Sequence, residues 1–288
     1  MEKREGLRTK ERGRTGESGC AGPERHKWSW RGKIIETGRL NKSLLGSLTL
    51  AVAVALLFLA AASPTFISAA ALKNRKLPVY SVERDDKCVS LTFDAAWGNE
   101  DTQTLIDILD RYGVKATFFV VGFWADKYPE SVKALSDAGH EVMTHSDDHA
   151  HFNSLSRQQI TDNLSAGCGK IEAITGVRPT LFRAPYGEYN DQVVETAASL
   201  GLTTVQWDVD SLDWKDLSAG EITRRVCDQV RDGSIVLFHN AALHTPEALP
   251  GIIEYLQSNG YRIVPVGELL LTGETQIDHT GRMHKAAK

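Results

Sequence analysis

Between residues 88 and 271 the chain alternates short apolar runs with longer amphipathic stretches. The runs are "VSLTF", "ATFFVVG", "HEVMTHS", "TLFRAP", "TTVQWDV", "SIVLFHN" and "YRIVPV". They are rich in β-formers, and most are apolar on both faces, as strands of a parallel sheet covered by helices must be. The stretches between them carry helix signals. "SRQQ" at Ser156 and "SAGE" at Ser218 read as capping boxes, and Thr245-Pro246-Glu247 reads as a cap followed by proline and an acid in the first turn. Gly113, Gly139, Gly201 and Gly260 close helices where a left-handed residue is wanted. About seven strands alternating with helices leave two architectures, a βα barrel that need not be complete and an open doubly wound sheet.

The chain has 288 residues and a formal charge of −4, with no basic surplus to suggest a nucleic-acid partner. Charge is unevenly spread. Residues 1–42 are basic, glycine-rich and poor in apolar residues, a composition that does not bury a core. Residues 43–72 carry no charge, enough length for a helix of about 20 residues to span a bilayer. The basic flank then places the N-terminus in the cytoplasm and the following domain outside. A cleaved signal is the rival reading, with Pro64 and the small residues Ala69, Ala70 and Ala71 as its marks. Residues 73–87 read as a polar linker and residues 272–288 as a polar tail. Cys20 falls before the uncharged segment. Cys88, Cys168 and Cys227 are isolated and odd in number, which fits small core residues better than a disulfide framework.

Ionisable residues gather where the runs end. The first run ends in Asp94, the third in "THSDDH" with His145 and His149, the fourth in Arg183, the fifth in "WDVDSLDW" with Asp208, Asp210 and Asp213, and the sixth in His239. In a parallel α/β sheet these ends share one face, where ligands bind. Each residue has a plainer reading: a hydrogen-bonded structural histidine, a surface ion pair for Arg183, a solvated loop for the aspartates, and core or rim positions for Trp97, Trp207 and Trp214. Taken together they suit metal-assisted hydrolysis. His145 and His149 have spacing that can aim two imidazoles at one ion, with His151 as a neighbouring alternative. A carboxylate would take a proton from water, and His239, oriented by Asp213, would give one to a leaving nitrogen.

The motifs "TFDA", "HSDDH", "RAPYG", "DSLDW" and "LFH", in this order, resemble those of the polysaccharide deacetylases, the NodB-type family. The segments "FDAAWGNEDT", "APYGEYN" and "HNAALHTPEAL" resemble its sporulation-type bacterial branch. The resemblance spans residues 88–271. It implies a distorted (β/α) barrel of about seven parallel strands, here preceded by a single N-terminal transmembrane or signal helix. It also implies removal of N-acetyl groups from amino sugars of peptidoglycan or a related cell-wall glycan, with a divalent metal such as zinc, cobalt or manganese. By position, Asp94 matches the catalytic base, His145 and His149 the metal ligands, and Arg183 the residue holding the base. Tyr186 matches the backbone donor to the oxyanion, Asp213 and His239 the acid pair, and Leu237 and Trp214 the walls around the acetyl methyl.

One position departs from the family pattern. Typical members read Thr-Phe-Asp-Asp, with the second Asp on the metal, whereas here that place is Ala95. Water would then fill the place, or Asp94 would turn to the metal, or Asp147, Asp148, Glu100 or Asp101 would reach in. A glycan-binding pseudoenzyme on the same fold is the alternative that Ala95 supports. An amidohydrolase acting on another C–N bond is a third reading.

Overall fold

The computed structural model describes residues 42–61 and 75–286. The chain divides into two units, Met1–Ala60 and Ala61–Lys288. In the first, α1 (Lys42–Ala61) is a helix of 20 residues. Among the described residues no helix is long and apolar enough to cross a membrane. Of the expected membrane-spanning or signal segment over 43–72, the structure describes α1 as far as Ala61; Pro64 and Ala69–Ala71, like Cys20, lie outside the described residues.

In the second unit the apolar runs become a parallel sheet. Its strands are β2 (Cys88–Ala95), β3 (Thr117–Val120), β4 (Glu141–Thr144), β5 (Leu181–Phe182), β6 (Thr203–Thr204), β7 (Val209–Asp210) and β8 (Ile235–His239). They lie in the order β6-β5-β4-β3-β2-β8-β7, and β9 (Arg262–Ile263) pairs beside β2. This order decides between the two architectures. The strands step round in sequence from β2 to β6, and β8 returns to pair with β2. A doubly wound sheet reverses direction at an internal switch point instead. The arrangement is a curled half-barrel of parallel strands, open between β6 and β7.

Helices cover the outside. They are α2 (Thr102–Arg111), α3 (Gly122–Lys127), α4 (Pro129–Asp137), α5 (Arg157–Thr175), α6 (Asp191–Ser199), α7 (Ala219–Gln229), α8 (Thr245–Ser258) and the short α9 (Val266–Leu269). Residues such as Phe93, Phe118, Phe238, Leu105, Leu249 and Ile253 form a buried layer between the sheet and these helices. A second cluster, including Phe119, Met143, Leu181, Val205 and Ile235, fills the inside of the curl. Both capping boxes form, at Ser156 and Ser218, and Gly113, Gly139, Gly201 and Gly260 all take positive φ. Cys88, Cys168 and Cys227 are free thiols.

Three stretches differ from their sequence reading. "TTVQWDV" is two strands, not one: the Gln206 amide donates to Val79 O, and the Asp208 carboxylate accepts from the Ile235 amide, so the chain breaks between β6 and β7. Thr245 does not cap its helix. Its hydroxyl donates to Asp213 Oδ2 at 2.7 Å, and His244 takes the cap position. The linker and tail also carry structure. β1 (Ser81–Val82), β10 (Thr275–Ile277) and β11 (Arg282–Lys285) form a small sheet in which β1 runs parallel to β11. Val79, Val82 and Met283 are buried apolar residues within segments that otherwise look polar.

This added sheet meets the barrel at Gly233. There φ is +80°, the Val82 amide donates to the Gly233 carbonyl, and a methyl group would run into Val82 O. Gly233→Ala combines left-handed strain with overlap against backbone, so it should cost about 2–4 kcal/mol in urea denaturation. An unchanged unfolding midpoint would show that this junction is not tight.

Candidate active site

Strand register assembles the site. Asp94 at the end of β2 lies beside His239 at the end of β8. Val120 pairs with Thr144, and Thr144 with Phe182, so His145 and Arg183 leave adjacent strands side by side. Asp210 pairs with Leu237, which carries Asp213 to the same end. The separate chain segments therefore converge because parallel strands emit their next residues on one face.

Arg183 is fully buried among these groups. Its Nη1 donates to Asp94 Oδ1 at 2.8 Å and to Thr92 Oγ1 at 2.9 Å, and its Nη2 donates to Gln206 O at 3.0 Å. The guanidinium lies over the Phe119 ring, 4.1 Å from its centroid. Burial works against ionisation of Asp94, but the charges around it, from His145, Arg183 and His239, and the Arg183 hydrogen bond hold its carboxyl below the usual range.

His145 Nδ1 lies 2.8 Å from Arg183 O. A carbonyl only accepts, so the neutral ring carries its proton on Nδ1 and presents the Nε2 lone pair. That Nε2 stands 3.5 Å from Asp94 Oδ2. His149 leaves the loop at φ +57°, its amide donating to Ser146 Oγ at 3.0 Å. Its ring packs against His145, Trp97 and Tyr186, with centroids 5.0, 4.5 and 4.5 Å away. Burial disfavours the charged form of both imidazoles: it lowers His145 and, with the neighbouring His145, brings His149 down to about 4. His149 Nδ1 is buried with no hydrogen-bond partner.

His239 is held differently. Its Nδ1 lies 2.8 Å from Asp213 Oδ1, while its own amide and the Thr245 hydroxyl both donate to Asp213 Oδ2. Burial disfavours the imidazolium, but the Asp213 hydrogen bond and the charges of Asp213, Asp94 and Asp210 outweigh it and raise the pKa. Two acid–base groups with opposite tendencies thus adjoin one cleft of about 690 Å3, whose walls include Trp97, Tyr186, Trp207, Trp214 and Leu237. Tyr186 sits on a tight turn at φ +59°, its ring stacked on His151. His151 is exposed and faces Glu188 at 3.1 Å, not the His145–His149 pair.

The donor set does not fit a tightly held catalytic metal. Such sites use three protein ligands and keep an open position. Here two imidazoles converge, and the third place is the methyl of Ala95, fully buried in the apolar layer behind the sheet. Among the described residues no three His, Cys, Asp or Glu side chains are placed to hold an ion. The acidic substitutes considered from sequence do not reach in. Asp147 pairs with Lys170, Asp148 accepts from Asn163, Glu100 accepts from the Asn99 amide, and Asp101 precedes α2. Asp208 is tied to Ser234, Ile235 and Arg231, a structural role.

The sequence pattern leaves Thr92 and Gln206 unmarked and casts Thr245 as a helix cap, not as a partner of Asp213. Thr92 was within reach, because it precedes Asp94 by one strand period and so shares its face. Gln206 contributes a backbone carbonyl, which leaves no trace in residue type.

The family profile described as polysaccharide deacetylase matches residues 81–205. A Bacillus cereus peptidoglycan-N-acetylglucosamine deacetylase is 33% identical over 196 residues, covering 66% of this chain and 92% of its own. The chain belongs to the polysaccharide deacetylase family. The Listeria monocytogenes peptidoglycan-N-acetylglucosamine deacetylase PgdA is 36% identical over 209 residues, 71% of this chain, and this chain spans 44% of that protein's length. Among solved structures, a Bacillus anthracis protein described as a CE4 family pseudoenzyme superposes with a TM-score of 0.65 at 36% identity, covering 67% of this chain and 68% of that one. A mutant of it is described as having restored enzymatic activity.

The Asp213–His239 pair gives this family member a measurable pH signature. His239 is raised above its ordinary 6.5 in the folded state. Its stabilising contribution is therefore complete below about pH 6.5 and fades as the pH climbs through the raised value. Asp213→Asn should lower the His239 pKa in an NMR titration. The stability gap between wild type and variant should be wide in mild acid and narrow above neutrality. An unmoved His239 titration would remove Asp213 as its cause.

Proposed function

We propose that this chain is an amidohydrolase that removes N-acetyl groups from amino sugars of peptidoglycan or a related cell-wall glycan. The observation that carries the reading is the pairing of two separately clamped groups at one cleft. Asp94, fixed by Arg183, has its ionised form favoured, as suits a base, and His239, fixed by Asp213, has its protonated form favoured, as suits an acid. The peptidoglycan deacetylases among its relatives support the substrate class. The uncharged segment at 43–72 supports action outside the cytoplasm, tethered or released.

In this mechanism Asp94 accepts a proton from the water that attacks the acetyl carbonyl. The backbone N–H of Tyr186 donates to the resulting oxyanion. His239 delivers a proton from Nε2 to the sugar nitrogen as the C–N bond breaks, leaving acetate and a free amine. Leu237 and Trp214 border the acetyl methyl, and aromatic rings at the rim offer faces to the sugars. No step is assigned to a metal, because the donor set does not fit one.

A second reading is favoured by Ala95: a glycan-binding protein whose turnover has been lost with the third ligand. One comparison separates the two. Acetate release from N-acetylglucosamine oligomers and from peptidoglycan is measured with and without zinc, cobalt or manganese, for wild type and Ala95→Asp. On the hydrolase reading the wild type releases acetate, and His239→Ala lowers the rate about 100-fold or more. On the binding reading the wild type is silent and Ala95→Asp with metal is active. Ala95→Asp also places a carboxylate in an apolar layer, so it should lower Tm in chelator and recover it with zinc by a larger margin than wild type. Neither glycan binding nor acetate release from either protein would sink both readings.

A further inference from the structure

The half-barrel opens between β6 and β7, and the segment that precedes β2 crosses that opening. The Val79 amide donates to Thr204 O at 2.9 Å, and the Val79 carbonyl accepts from the Gln206 amide at 2.7 Å, so Val79 pairs in parallel with the end of β6. Further along, the Val82 amide donates to Gly233 O at 2.9 Å, just before β8. Gln206 has a second bond. Its carbonyl accepts from Arg183 Nη2 at 3.0 Å, and Arg183 Nη1 donates to Asp94 Oδ1. A single residue, Gln206, therefore connects Val79 to the clamp on the base.

Packing makes the same connection. The Val79 side chain is fully buried in the cluster that includes Phe119 and Val205, and Phe119 is the ring beside the Arg183 guanidinium. The segment also holds the loop that runs from Arg183 through the Tyr186 turn to α6. Tyr80 Oη lies 3.1 Å from Tyr189 Oη, the Arg75 guanidinium stands 4.8 Å from the Tyr189 ring centroid, and the Lys76 amide donates to Asp191 Oδ1 at 3.0 Å. Reacting groups must be held to within about 0.5 Å by side chains that packing and further hydrogen bonds lock in place. Val79 precedes residues 81–205, which the family profile matches.

We propose that Val79 is a positioning residue: the segment from 75 to 82 is a brace that holds Gln206 and, through it, Arg183 against Asp94. This role rests on the hydrolase reading of the cleft. Val79 lies outside the cleft lining and touches no reacting atom. Trimming its side chain lets the segment shift, moves the Gln206 carbonyl and slackens the guanidinium, while the cleft walls stay as they are. Rate then suffers and substrate affinity does not.

The test compares the full chain with Val79→Ala, Val79→Ile and Val226→Ala, the last a buried valine of α7 in the layer outside the sheet. Acetate release from N-acetylglucosamine oligomers is followed well below every unfolding midpoint. Val79→Ala should lower kcat about tenfold with KM within about twofold, and Val79→Ile should restore most of the rate. Val226→Ala should lose comparable thermal stability and keep the wild-type kcat. If Val79→Ala does not fold, Tyr80→Phe takes its place, with a fall in kcat of about threefold. Exchange of the Arg183 Nε proton with solvent, read by 15N NMR, needs no turnover. It should quicken in the Val79→Ala or Tyr80→Phe chain and not in Val226→Ala. An unchanged kcat in the brace variant, or an equal loss in Val226→Ala, overturns the proposal. A wild type that releases no acetate removes the hydrolase reading by itself. Nε exchange then decides the brace alone, and equal exchange in all the chains overturns it.

Discussion

Arg183 is the residue through which the rest of the site is arranged. It crosses the inside of the curl from β5 to β2, and every polar atom it meets belongs to a different part of the site: the Asp94 carboxylate, the Thr92 hydroxyl one strand period below it, and the Gln206 carbonyl where the barrel opens. Its own carbonyl sets the tautomer of His145. A buried guanidinium needs its charge met, and here Asp94 meets it through Nη1, while Nε is buried without a hydrogen-bond partner. That requirement fixes the Asp94 side chain as firmly as any packing contact, and it ties the orientation of the base to the curvature of the sheet. The Phe119 face beneath the guanidinium completes the enclosure.

The half of the site proposed to move protons and the half that would hold an ion have different fates in this chain. Proton transfer needs Asp94 and His239 with their clamps, and all four side chains are present with short hydrogen bonds. Ion binding needs a third donor, and Ala95 turns toward the apolar layer instead. Burial disfavours the charged form of both imidazoles. The surrounding cleft is otherwise intact, with aromatic rings at its rim and carboxylates on one wall.

Much of this could be read from the sequence, because parallel strands place their C-terminal residues together whatever the details of the helices. Asp94, His145, Arg183, Asp213 and His239 were legible for that reason. Barrel against open sheet was legible only through the family resemblance, since the pairing of β8 with β2 is a matter of backbone hydrogen bonds that no strand or helix pattern marks. Thr245 looked like a helix cap by its neighbours; the buried Asp213 carboxylate claims its hydroxyl instead. Asp147 and Asp148 are close to the histidines along the chain, yet Lys170 and Asn163 on α5 draw them away. The strands of the terminal sheet span two to four residues each, too short for a period of two to show.

Among the described residues six non-glycine positions adopt positive φ, and five of them, Ser146, His149, Tyr186, Leu212 and Asp216, belong to the loops that build or border the cleft. A side chain in that conformation costs about 1–2 kcal/mol. Together they draw on a sum comparable with the whole net stability of an ordinary domain. A surface under no demand but to stay folded would do better with glycine at those turns. The cleft is thus held away from its own energetic optimum, and mutations that relax these turns are the ones that should make the protein sturdier while loosening its hold on whatever it binds.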